Sequence, residues 1–172
     1  MQDKFLIKKL DSTYISAMLD LQDEVIGKLD NPDILRKNTI DTLSPCFDPP
    51  SLVLGAFCDD LFVAFGILYY AGDDHENLAY SLDKHNDLYS YANIKVVIVK
   101  DGYRGHGLQQ TFIRNFEEYA KTIGVKTLLS TVSPDNMYSC RNLEQCGYIS
   151  VKRLKKYGGK DRLLYMRNLG EH

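Results

Sequence analysis

The chain has 172 residues, 44% of them hydrophobic and 26% charged, with a formal net charge of −2. This suits a single domain over residues 1–172, with its core at about 4–169, and a near-neutral chain lacks the global basic field that nucleic-acid binding draws on. The longest apolar stretch, Leu61 to Gly72, is too short to span a bilayer, and Met1-Gln2-Asp3-Lys4 carries no apolar run of a secretory signal. Four cysteines, Cys46, Cys58, Cys140 and Cys146, form no CxxC pair. Reduced thiols, a cytoplasmic location and no bound metal are expected.

Phe5 to Leu10 reads as a first strand. Asp11-Ser12 caps a helix whose apolar positions Tyr14, Ile15, Met18, Val25, Ile26 and Leu29 keep helical spacing. Asn31-Pro32 starts a second helix with Ile34, Leu35 and Leu43 as candidate buried positions, ended by Pro45, Pro49 and Pro50. Ser51–Cys58 and Leu61–Tyr70 form a hairpin across Asp59-Asp60. A polar stretch follows to about Tyr91, long enough for a functional loop or a short helix. Asn93–Val99 is the clearest strand, apolar enough to be buried on both faces.

The loop after it feeds a helix with Leu108, Phe112, Ile113, Phe116, Tyr119, Ala120 and Ile123 on one side, ended by Gly124. Lys126–Val132 is a strand, and Ser133-Pro134-Asp135 opens a helix that runs to Gly147. Two last strands, Tyr148–Tyr157 and Arg162–Leu169, flank the turn at Gly158-Gly159-Lys160-Asp161. Hairpins at both ends and a parallel crossover in the middle predict an α/β fold with a mixed sheet of about seven strands and four main helices.

Chemistry concentrates at Arg104-Gly105-His106-Gly107-Leu108-Gln109, between a buried strand and an amphipathic helix. Glycines at 105 and 107 let several backbone N–H groups converge on one anion, and the helix start aims its own N–H groups and positive dipole end there. A pyrophosphate would be well held. The pattern is neither GxGxxG nor a P-loop, and a tight strand-to-helix turn alone would also use these glycines.

This segment resembles the loop of the GNAT superfamily of N-acetyltransferases, which reads Gln/Arg-x-x-Gly-x-Gly/Ala. Arg104 and Gly107 fill the first and fourth positions, and Gln109 stands where Gly or Ala is usual. A second segment, Asn136, Ser139, Leu143, Glu144, Gly147 and Tyr148, is similar to the family's Asn-x-x-Ala/Ser-x-x-x-Tyr/Leu-Glu-Lys-x-Gly-Phe/Tyr. The resemblance extends from Lys4 to Leu169 and is strongest over residues 94–148.

It implies an acyltransferase that carries acetyl from acetyl-CoA to a primary amine of a small molecule or peptide by direct attack on the thioester, without a metal. The cofactor would lie where the strand before the loop splays from the next parallel strand. The backbone of Ile98, Val99 and Lys100 would pair with the pantetheine arm, and the N–H groups of Arg104, Gly105, His106, Gly107, Leu108 and Gln109 would hold the pyrophosphate. Asn136 would reach the pantetheine amides, with Ser139 and Asn142 nearby; a helix-start cap is the competing role for Asn136. Many relatives place an acidic tyrosine where Leu143 stands. Ser139 is the substitute proton donor and Tyr138 the alternative, set about 200° around the helix from Asn136.

No base is assigned: the family often uses a Glu on the strand equivalent to Asn93–Val99, where Lys95 is the only ionisable residue. Asp87, Tyr89, Tyr91 or a water chain are candidates. The acids Asp73, Asp74, Glu76, Asp83 and Asp87 could attract a cationic acceptor or simply be solvated. The basic run Lys152 to Arg167 reads largely as a solvated hairpin face. Cys140 and Cys146 read as buried helix residues rather than nucleophiles. A non-catalytic CoA-binding or regulatory module of the same fold is the competing function; oligomeric state, a homodimer included, is open.

Overall fold

The computed structural model describes residues 4–170, so Met1, Gln2 and Asp3, part of the leader reading, lie outside the described residues. Seven strands pair into one sheet: β1 (Phe5–Lys9), β2 (Leu52–Cys58), β3 (Leu61–Tyr69), β4 (Tyr91–Val99), β5 (Thr127–Val132), β6 (Ile149–Lys156) and β7 (Lys160–Asn168). Their order is β1-β2-β3-β4-β5-β7-β6. Every neighbouring pair is antiparallel except β4–β5. The expected mixed sheet is present.

Helices α1 (Ile15–Gly27) and α2 (Ile40–Leu43) cover one face, and α3 (Leu108–Thr122) and α4 (Met137–Gln145) the other. On the first face Met18, Leu21 and Val25 of α1 meet Val53, Phe65, Ile67 and Ile98. On the second, Phe112, Ile113, Phe116 and Ala120 of α3 meet Leu68, Ile94, Val99 and Leu128. Strand alternation sorts these side chains to the two faces.

Three local expectations are corrected. The helix predicted from Asn31-Pro32 is only a 3-10 turn over Pro32–Ile34, after which Leu35 is extended. The side chain of Gln22, inside the apolar face of α1, accepts from Asn38 N (2.8 Å) and donates to Asn38 O (3.0 Å). Those bonds tie the segment to α1, and the helix restarts only at Thr39, which forms a reciprocal cap with Thr42. Second, α4 starts later than predicted. Ser133 Oγ accepts from Asp135 N within a turn, and Asn136 is the helix cap, its Oδ1 accepting from Ser139 N.

Third, β4 is not buried throughout: Lys95, Val96 and Val97 are half-buried. The β3–β4 register passes from Ile67↔Val96 to Leu68↔Ile94, so Lys95 is an unpaired extra residue. Such a bulge bends its strand. Pairing of β4 with β5 accordingly stops after Asn93↔Leu129. One residue further on, Ser130 Oγ donates to Ile94 O (3.0 Å), a side chain standing in for the missing ladder bond. Beyond it the strands part.

Candidate active site

The gap between β4 and β5 opens into two adjoining cavities. The larger, with about 880 Å³ of empty space including its mouth, is walled by Ile94–Val97 of β4 and Ser130–Val132 of β5. The smaller, about 450 Å³, lies between Val97–Val99 and the start of α4. Val97, Gln109, Asn136 and Ser139 line both, so the two form one channel across the sheet.

Lys100 N donates to Val63 O (2.7 Å), which sets the alternation along β4. The polar groups of Ile98, like those of Lys100, point at β3, whereas those of Val97 and Val99 point at the gap. The expectation for Lys100 is therefore corrected. Its C=O is also taken, by Tyr103 N (3.0 Å), and its ammonium holds Glu24 at 2.7–2.8 Å. It lines neither cavity. Ile98 lines the smaller one, but its backbone faces β3; Val97, not singled out from sequence, takes its place beside Val99.

The glycine loop closes one end. Gly105 and Gly107 have φ of 82° and 77°, a region L side chains rarely adopt, and a Cβ built at either meets nothing within 4 Å. Gly107 is the cap residue of α3 and offers no side chain to the helix start. The first N–H groups of that helix thus remain available to an anion. Arg104 reaches the smaller cavity with its guanidinium 5.9 Å from the Tyr138 ring centroid. His106 is exposed, its ring 5.7 Å from that of Phe5. Leu108 is buried in the core, leaving only its backbone for a ligand.

Of the α4 candidates, Ser139 faces both cavities and its hydroxyl makes no hydrogen bond among the described residues. Tyr138 lines the smaller cavity, its hydroxyl accepting from Gly105 N at 3.5 Å. Leu143 is 2% exposed and forms apolar wall. Asn142 is turned inward. Its Nδ2 donates to Gln109 Oε1 (3.2 Å) and Tyr138 O (3.0 Å), and its Oδ1 accepts from Gln110 (3.0 Å). It lines neither cavity and links α4 to α3.

At the other end, Asn93 pins the 71–90 loop by accepting from Leu78 N (3.2 Å) and donating to Glu76 O (2.8 Å). This sets Glu76 in the larger cavity, 2.9 Å from Arg36 and 3.8 Å from Lys95. None of the other four acids of that stretch lines it, and neither do Asp87, Tyr89 or Tyr91 as candidate bases. Burial lowers the Lys95 pKa. Tyr157 and Arg162, from the last hairpin, complete the wall. The basic run is therefore not one solvated face: Arg162 is buried, and Arg167 bonds the buried Glu117 at 3.1 Å. Arg36 and Tyr157 carried no local signal in the sequence.

Among the described residues no cluster of three or more His, Cys, Asp or Glu is placed to hold a metal, and no helix is long and apolar enough to cross a membrane.

The model of the Acetyltransferase (GNAT) family matches residues 14–148. No curated protein matches the chain. Among solved structures it is similar to yncA, a putative acetyltransferase from Salmonella typhimurium determined with acetyl-CoA, at 14% identity over 98% of this chain and 96% of that one, TM-score 0.72. It is likewise similar to the ribosomal-protein-S18-alanine N-acetyltransferase from Escherichia coli (14% identity, 98% and 96% covered, TM-score 0.73). An N-acetyltransferase from Staphylococcus aureus Mu50 is another (16% identity, 96% and 99% covered, TM-score 0.72). Those likenesses reach the fold, and the match over residues 14–148 reaches further: the chain belongs to the GNAT family of acetyltransferases.

Proposed function

We propose that this protein is a cytoplasmic, acetyl-CoA-dependent N-acetyltransferase acting on a primary amine. The observation that carries it is the opening of β4 from β5 directly beside an uncapped, glycine-flanked helix start. A strand edge with unpaired polar groups at Val97 and Val99 suits the two amides of a pantetheine arm, and the Arg104–Gln109 loop suits a pyrophosphate. When bound, acetyl-CoA supplies an activated thioester.

The chain's own residues then bind, orient and move protons. Val97 and Val99 hold the arm as an added strand, and Asn136, its Oδ1 used as a cap, offers Nδ2 to the arm. The acceptor enters through the larger cavity and must lose an ammonium proton before its nitrogen bonds the carbonyl carbon and the C–S bond breaks. Glu76 receives that proton, as the one carboxylate among the described residues lining this cavity. Ser139 Oγ gives a proton to the leaving sulfur and takes in return, directly or through water, the second proton that the acceptor nitrogen sheds on becoming an amide.

Acetyl-CoA incubated with an amine panel tests this directly. Release of free CoA that depends on the amine is the expected result. Tight CoA binding without turnover on any amine would favour a non-catalytic module, a reading motivated by buried Leu143 and by the absence of a carboxylate on β4.

A further inference from the structure

Resting on that reading, we infer that the acceptor carries a carboxylate close to its amine, held in the larger cavity by Arg162 and Arg36 against Tyr157. Arg162 is only 4% exposed, yet it has no carboxylate within 4.0 Å among the described residues. Its Nη1 donates to Asp161 O (2.8 Å) and its Nη2 to Asp33 O (2.9 Å), both neutral carbonyls.

The acids that could have neutralised it are spent elsewhere. Asp33 pairs with Lys160 (3.4 Å), Asp161 with Lys155 and Arg153 (2.7 and 3.3 Å), and Glu76 with Arg36 (2.9 Å). A buried charge is costly unless paired. The larger cavity therefore presents Arg36, Lys95 and Arg162 against Glu76 alone.

Tyr157 organises this end. The guanidinium carbons of Arg36 and Arg162 lie 4.2 and 5.7 Å from its ring centroid, and its hydroxyl is 2.9 Å from Thr131 Oγ1 on β5. The residue has a φ of 53°, a left-handed backbone that bulky side chains rarely adopt. Strain of that kind persists where surroundings hold a side chain in place. A planar guanidinium fork matches a carboxylate in two-bond geometry. A carboxylate there would leave the acceptor's amine free to reach the β4–β5 gap.

The test compares free amino acids with their own amides and with the decarboxylated amines, for instance phenylalanine, phenylalaninamide and phenethylamine. KM for the free acid should be about tenfold or more below that for its amide, because a site built around a charged partner rejects the analogue lacking it. Arg162→Gln should erase that preference while leaving the KM for acetyl-CoA unchanged. Arg36→Gln, at a more exposed position, should reduce the preference and serves if the first variant does not fold.

A binding arm needs no turnover. Calorimetry on the CoA-saturated protein should show N-acetylphenylalanine binding more tightly than N-acetylphenylalaninamide. Equal affinity, or faster turnover of amides, spermidine or phosphoethanolamine than of every amino acid, would overturn the carboxylate assignment and leave the acetyltransferase reading intact. Loss of CoA release on all amines with a persisting preference for the acetylated acid would overturn catalysis but not the anion site.

Discussion

Gln109 Oε1 accepts a hydrogen bond from Asn142 Nδ2 at 3.2 Å, so the residue that departs from the family loop is tied to the helix carrying the second motif. A glycine or alanine at 109 could not make that link. Here the side chain lines both cavities and is itself buried. Gln109→Ala should cost about 1 kcal/mol in urea unfolding, one lost buried hydrogen bond, and change CoA affinity by less than about threefold. A large loss of CoA affinity would make Gln109 a direct ligand contact instead.

Gly107→Val tests the anion loop. The sequence suggests that a side chain there abolishes CoA binding by filling the cradle; in the protein a Cβ meets nothing, but φ is 77°. The valine must therefore turn the backbone, re-aiming the N–H groups around it. CoA affinity should fall by about a hundredfold or more while circular dichroism stays native. Unchanged affinity by calorimetry would remove the loop from the cofactor site.

Proton delivery separates Ser139 from Tyr138. Ser139→Ala should lower kcat by about tenfold to a hundredfold with the KM for acetyl-CoA little changed. Tyr138→Phe deletes the hydroxyl that accepts from Gly105 N and should act more on KM than on kcat. The reverse pattern would exchange the two roles.

Glu117 is a structural centre. At 5% exposure it accepts from Tyr148 Oη (2.8 Å), Arg167 (3.1 Å) and Arg114 (3.2 Å), joining α3 to the segment after α4 and to β7. Burial, then the Glu117 charge, raises the Tyr148 pKa and keeps the phenol protonated. Glu117→Ala leaves the Tyr148 phenol without its acceptor and the two arginines with the Cys146 carbonyl alone; because both arginines are partly exposed, the cost should be about 2–3 kcal/mol rather than the full buried-pair value. Glu117→Gln should recover part of it. Urea midpoints decide.

Thiol chemistry provides a pH test. Burial pushes Cys46 up to about 11 and raises Cys140 and Cys146, whereas Cys58 is half-buried. The thiolate is the reactive form, so at about pH 7.5 Cys46 is ionised to roughly one part in a few thousand. A chromogenic disulfide reagent should titrate Cys58 alone in the native protein, and the remaining thiols only after unfolding. Alkylation of Cys58 in the native protein should leave turnover intact, against a catalytic role for that thiol.

The loop and the α4 motif were legible because their determinants are local: glycines where φ is positive, an Asn cap, and helical spacing of apolar residues. What sequence misread is held by distant partners. Leu35 to Asn38 is kept out of a helix by Gln22, sixteen residues before Asn38, and no local propensity reveals that pairing. Arg162 looked like one of many hairpin cations, yet it falls on an inward position of β7. Its role emerges only once β5, the segment after Asn31 and Tyr157 are folded together. The bulge at Lys95 was equally hidden, since an unbroken apolar run does not show where one residue is surplus.

That surplus residue also limits how the chain can vary in length. Removing one position between Ile94 and Val97 would exchange the faces of every later β4 residue, sending Ile98 toward α3 and Val99 toward α1, and would close the fork between the strands. The exposed tip at Asp83 to Asp87 carries no such phase and could gain or lose residues freely. Insertion and deletion tolerance should therefore differ most sharply between these two stretches, only a few residues apart in the chain.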